Sequence, residues 1–191
     1  MVISSFELRT LVRNISTFTG RPAEELPPVL EKIRATAIDY ETGLLTTDEF
    51  FRTVLQRTGL SMTREQFRLA YNNIFKPIPE NRELIRRLKP HYKLGLLSNT
   101  SEWHFQHAIR TTDVFPLFDA VTLSYEVRAL KPAEALYRDI LAKLQSAPEE
   151  CVYIDDIQVN VEAAERIGMH GIQYHSPGPL LLSLRALAVQ A

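Results

Sequence analysis

Four short apolar runs dominate the second half of the chain: YKLGLL at 92–97, AVTL at 120–123, CVYI at 151–154 and GIQY at 171–174. Helix-length stretches separate them, at 101–111, 132–145, 158–167 and 179–188. Strands that alternate with helices of ten or more residues imply βαβ crossovers and a parallel sheet. Parallel strands are covered on both faces, so their sequences run apolar without alternating. LGLL and CVYI read that way. The spacing predicts a doubly wound, Rossmann-like α/β core over residues 81–191.

Residues 1–80 read differently. Leu8, Leu11, Val12, Ile15 and Phe18 recur at helical spacing and Gly20 follows as a stop. A weaker helical pattern covers 28–39. Thr46 and Glu49 have capping-box spacing before Phe50, Phe51, Val54 and Leu55, and Gly59 ends that run. Thr63 opens a helix through Phe67, Tyr71, Ile74 and Phe75. About four helices and no strand are expected in this first domain.

In open parallel sheets, ligands bind beyond the carboxyl ends of the strands. Ser98, Asn99 and Thr100 follow LGLL. Ser124 and Tyr125 follow AVTL, with Lys131 and Pro132 a little further on. Asp155 and Asp156 follow CVYI. A hydroxyl, an amide, a cation and two carboxylates therefore fall on one edge. Two adjacent carboxylates need a counter-charge, either a metal ion or Lys131. Mg²⁺ suits such oxygen ligands and keeps waters that a phosphate can replace. Ser98, Asn99 and the amides opening the helix at 101 suit phosphate oxygens, and Lys131 suits a transferring phosphoryl group. Each piece has an ordinary explanation alone: Asp-Asp and Ser-Asn-Thr as helix caps, Lys-Pro as a helix start. Their joint order carries the argument.

That order resembles a known family. LLSNTSEWHF, LKPAEALYRDIL and VYIDDIQVNVEAAERIGMHGI are similar to motifs II, III and IV of the haloacid dehalogenase-like (HAD) hydrolases, subfamily I, phosphatase branch. The resemblance covers about 85–175 well, and 5–80 more loosely as a helical cap. It implies a HAD core with an N-terminal helical cap, and a Mg²⁺-dependent phosphatase of small phosphorylated metabolites acting through an aspartyl-phosphate. Ser98 would bind the phosphoryl group, with Asn99 and Thr100 beside it. Lys131 would steady nucleophile and phosphate. Asp156 would ligate Mg²⁺. Asp155 would organise Lys131 or the metal waters, and Asn160 would lie just outside.

One piece of the family pattern has no counterpart here. Motif I, an Asp-x-Asp segment ending the first strand, supplies the nucleophile and a general acid. The first acid in this sequence is Glu7, inside an expected helix, and Asp39 and Asp48 follow no strand. The family places that strand centrally, between those of motifs II and IV. Without it, unpaired backbone groups would cost roughly 1–3 kcal/mol each if dry. Three compensations are open: the neighbours pair directly, Met1–Ser4 fills the gap, or a second chain lends a strand. The expectation is a truncated or misassigned start, with an inactive HAD-fold binding protein as the alternative and a haloacid dehalogenase as the enzymatic runner-up. A receiver domain has its Asp pair first and Lys-Pro last, the reverse of this order.

Other features exclude more than they assign. A net charge of −1 over 191 residues favours neither nucleic acid nor an anionic membrane, and no apolar run approaches a membrane span. The single cysteine, Cys151, reads as a structural thiol in a reducing compartment, so a cytoplasmic location is expected. A monomer or homodimer is expected. His104 and His107 read as ordinary helix residues, Trp103 as packing between the two halves, and Arg82, Arg86, Arg87 and Lys89 as a solvated basic face. Neither a nucleotide-binding glycine loop nor a serine-hydrolase elbow occurs.

Overall fold

The computed structural model describes residues 2–190. The chain opens with β1 (Ser4–Phe6), then α1 (Leu8–Thr19), α2 (Pro27–Glu41), α3 (Thr47–Thr58) and α4 (Arg64–Asn72), and closes this part with β2 (Phe75–Pro77). The local signals act as expected. Gly20 and Gly59 cap α1 and α3 with φ of 70° and 66°, a region open to glycine without a Cβ penalty. Thr46 with Glu49, and Thr63 with Gln66, form reciprocal capping boxes.

Two strands appear where none was expected. β1 and β2 pair antiparallel, Ser4 with Pro77 and Phe6 with Phe75. Phe75 thus leaves the helix assigned to it, because its cross-strand partner outweighs local propensity; the two rings meet edge to face at 6.1 Å. The helices bury one cluster that includes Leu11, Ile15, Tyr40, Phe50, Val54, Phe67 and Tyr71. Trp103, from the other half of the sequence, joins that cluster as expected and touches Tyr40, Phe50, Phe51, Phe67 and Tyr71.

The remainder runs α5 (Pro79–Leu88), β3 (Gly95–Ser98), α6 (Glu102–His104), β4 (Ala120–Leu123), α7 (Ser124–Val127), α8 (Glu134–Leu144), β5 (Val152–Asp155), α9 (Gln158–Arg166), β6 (His170–Gln173) and α10 (Pro177–Ala186). β3 begins at Gly95 rather than Tyr92, because the Leu94 amide is held by the Asp119 carboxylate at 2.8 Å instead of by a ladder partner. The helix expected over 101–111 is one α turn followed by a π-helical segment, Phe105–Ile109; apolar spacing does not distinguish these bond patterns.

β3 pairs parallel with β4, and β5 parallel with β6, but the two pairs share no ladder. The direct pairing of neighbours weighed from sequence does not occur. Nor does the N-terminal stub become a core strand: Ser4 is bonded to β2, while Val2 packs its side chain into the cluster of Leu84, Ile172, Leu180, Val152 and Ile154 and its carbonyl accepts from Asn81 Nδ2 at 2.5 Å. Met1 lies outside the described residues.

Candidate active site

β3, β4 and β5 end on one edge, and there the structure gathers most of the residues singled out above. The Lys131 ammonium donates to Asp155 Oδ2 at 2.6 Å and to the Leu97 carbonyl at 3.4 Å. The Lys131 and Asp155 side chains retain only 12% and 5% exposure, so this ion pair is poorly screened by water. Asn99 clamps the backbone of the same lysine: its Oδ1 accepts the Lys131 amide at 2.8 Å and its Nδ2 donates to the Lys131 carbonyl at 3.4 Å.

Asp155 is saturated. Oδ2 accepts from Lys131 and from the Tyr153 hydroxyl at 2.7 Å; Oδ1 accepts from the Ile157 amide at 2.9 Å and from Asn160 Nδ2 at 3.1 Å. Burial pushes its carboxyl up, but the Lys131 charge and these donors outweigh burial and hold it below the usual range. Asn160 is buried against it. Asp156 lies beside them, exposed, on the solvent side of the strand end.

Ser98 is half-buried, its hydroxyl 3.4 Å from the Asn99 carbonyl. Thr100 is turned inward: it is buried and its amide donates to Ser124 Oγ at 2.9 Å. Ser124 in turn donates to the Glu41 carbonyl at 2.6 Å, tying the helical half to the sheet edge. Glu41, the last residue of α2, has a carboxyl pushed up to about 7 by burial.

One participant was not singled out from the sequence. Tyr153 shares a strand face with Asp155 because i and i+2 point the same way, a signal that was available. Glu41 reaches the edge only through its backbone carbonyl, on Ser124. His104 and His107 do not converge: His104 is buried, stacks on Tyr71 at 4.1 Å and is pushed down to about 4 by burial, whereas His107 is exposed beside Arg68. Arg86 pairs with Asp113 and Lys89 with Asp119 at the surface, whereas Arg82, expected on the same solvated face, pairs with Asp113 from a largely buried position, its side chain 19% exposed.

A magnesium ion demands near-octahedral oxygen coordination. Among the described residues no group of three or more His, Cys, Asp or Glu side chains converges as a metal site. With all four lone-pair positions of Asp155 filled by donors, that carboxylate has none left for a metal ion. No helix among the described residues is long and apolar enough to cross a membrane.

Comparison with known proteins follows the same lines. A family model described as haloacid dehalogenase-like hydrolase matches residues 33–173. A D-ribitol-5-phosphate phosphatase of Bacteroides thetaiotaomicron is 26% identical over 153 residues, covering 75% of this chain and 74% of the relative. A drimenol cyclase of Aspergillus calidoustus is 26% identical over 148 residues, 72% of this chain but 27% of the cyclase, so the chain spans about a quarter of that relative. A solved HAD family enzyme of Bacteroides thetaiotaomicron, in complex with magnesium and inorganic phosphate, superposes with a TM-score of 0.79 at 21% identity, covering 91% of this chain and 89% of that one.

Proposed function

As the chain belongs to the haloacid dehalogenase-like hydrolases, we propose that its strand-end edge binds the phosphate group of a small phosphorylated metabolite, as the binding half of a HAD-type phosphatase. The observation that carries this is the buried Lys131–Asp155 pair, held rigid by Asn99 beside Ser98. A cation fixed at the rim of a parallel sheet stabilises an oxyanion without reorganising. A relative named for ribitol-5-phosphate hydrolysis supports a phosphorylated sugar or polyol as ligand. Ser98 and Asn99 would contact the phosphate oxygens and Lys131 would neutralise their charge.

Hydrolysis through an aspartyl-phosphate needs a carboxylate nucleophile facing Lys131. Asp155 is spent on structural hydrogen bonds, and Asp156 follows the strand. We therefore assign binding to this chain and make turnover conditional on a further carboxylate. Magnesium is conditional in the same way, with Asp156 as its ligand, Asp155 and Asn160 behind it. The second reading, a HAD-fold binding protein without catalysis, is favoured by the saturation of Asp155.

Titration with ribitol 5-phosphate, read by amide NMR, tests the binding reading. Shifts at Ser98 and Asn99 that Lys131→Ala abolishes are expected; no shift there overturns it. In parallel, hydrolysis of p-nitrophenyl phosphate with and without Mg²⁺ is expected to show no turnover above that of Asp156→Asn. Metal-dependent turnover lost in that variant would mean the chain holds a nucleophile after all.

A further inference from the structure

Asn99 fixes the backbone of Lys131, but the ammonium hangs on a flexible four-carbon stem and needs anchors of its own. Among the described residues these are Asp155 Oδ2 at 2.6 Å and the Leu97 carbonyl at 3.4 Å. An ammonium has three N–H groups, so one is left for a ligand. Its direction depends on which lone pair of Oδ2 the lysine occupies.

The Tyr153 hydroxyl occupies the other. It donates to the same oxygen at 2.7 Å from a buried position. A carboxylate oxygen offers two lone pairs, so with the hydroxyl on one the lysine is confined to the second. The two donors also share the charge of that oxygen. Asp155 therefore neutralises Lys131 less completely than it would in a simple pair, and more of the ammonium's charge stays available to a phosphate.

Tyr153 is itself braced. Its ring meets that of Tyr137 edge to face, 5.2 Å between centroids. Tyr137 is fully buried, and its hydroxyl donates to the Asn160 carbonyl at 2.9 Å. Asn160 Nδ2 donates back to Asp155 Oδ1 at 3.1 Å. The circuit closes on Asp155 and grips both of its oxygens, so the carboxylate plane cannot turn to follow the lysine. Phenylalanine at 153 would supply the same ring; the hydroxyl is what reaches Oδ2.

We propose that Tyr153 is a positioning residue for the phosphate ligand. By holding one lone pair of Asp155 Oδ2 it confines the Lys131 ammonium to the other and reserves the third N–H of that ammonium for a phosphate oxygen. The role rests on the phosphate-binding reading of this edge and adds to it a residue that never touches the ligand.

The test follows ribitol 5-phosphate binding to the whole chain, with tyrosine labelled by carbon-13 at Cζ. In the wild type the Tyr153 Cζ resonance is expected to move in step with the Ser98 and Asn99 amides, because a phosphate that draws on Lys131 strengthens the hydroxyl's claim on Oδ2. In Tyr153→Phe, folded by circular dichroism, the dissociation constant is expected to rise about tenfold, as the weakening of a charge-assisted hydrogen bond implies. Thr63→Ala removes the cap of α4 and none of these contacts, so it is expected to lose stability and keep the wild-type constant. A Tyr153 resonance that stays fixed while Ser98 and Asn99 shift overturns the role. An unchanged constant in Tyr153→Phe does so too, and either result leaves the phosphate reading standing. No shift at Ser98 and Asn99 in the wild type overturns that reading and the role with it. Should Tyr153→Phe not fold, the wild-type resonance decides.

Discussion

Asp155 accepts four hydrogen bonds in a site that leaves its side chain 5% exposed. Removing its charge strands the Lys131 ammonium in a nearly dry position, so Asp155→Asn is expected to cost about 3–5 kcal/mol, read as a fall in the urea midpoint. The pH dependence follows from the direction of the shift. The folded carboxyl is held below its unfolded value near ~4, so its contribution is complete above that value and fades as pH falls toward the lowered folded one. Urea midpoints measured downward from neutral pH should decline more steeply for the wild type than for Asp155→Asn. At this scale the sequence was informative. Adjacent strand-end carboxylates called for a counter-charge, and Lys131 is that charge. The residues alone did not divide the labour between the two aspartates; the family resemblance set Asp155 beside Lys131 or the metal waters, and Asp155 is bonded to Lys131 because the strand runs one residue further than its apolar letters, to include Asp155.

Elements with a local cause were legible, and those with a remote cause were not. The Thr46–Glu49 box rests on three nearby bonds: Glu49 accepts from the Thr46 amide at 2.8 Å and hydroxyl at 2.7 Å, and returns its own amide to Thr46 Oγ1 at 3.3 Å. Thr46→Ala is expected to lower stability by about 1 kcal/mol, seen as a lower melting temperature with the circular dichroism spectrum of the folded state unchanged. β1 and β2 have no such signature. Each is three residues long, and they meet across about seventy residues of intervening helix. The Phe105–Ile109 segment is likewise invisible in the letters, because apolar periodicity reports which face is buried, not which carbonyl each amide reaches.

The two halves of the molecule meet at a seam that a single glycine permits. Gly43 has φ of 71°, and a Cβ there would overlap the Tyr125 carbonyl oxygen. Next to it Ser124 binds the Glu41 carbonyl, and Trp103 fills the helical cluster from the other half. Gly43→Ala is expected to cost about 2–3 kcal/mol through strain and overlap, and to shift the amide resonances of Ser124 and Thr100, whereas Gly20→Ala, with open space around it, should leave those resonances in place. The sequence by itself determined the α/β core, the helical first part and the identity of the edge residues, because strand-length apolar runs, capping boxes and strand-end chemistry are written within a few residues. Only the tertiary structure decided that β3 and β5 stay apart, that Phe75 pairs with Phe6 in a strand, and that the Glu41 carbonyl ties the helical half to Ser124. Each of those depends on contacts between segments far apart in the chain, whose energies no local window contains.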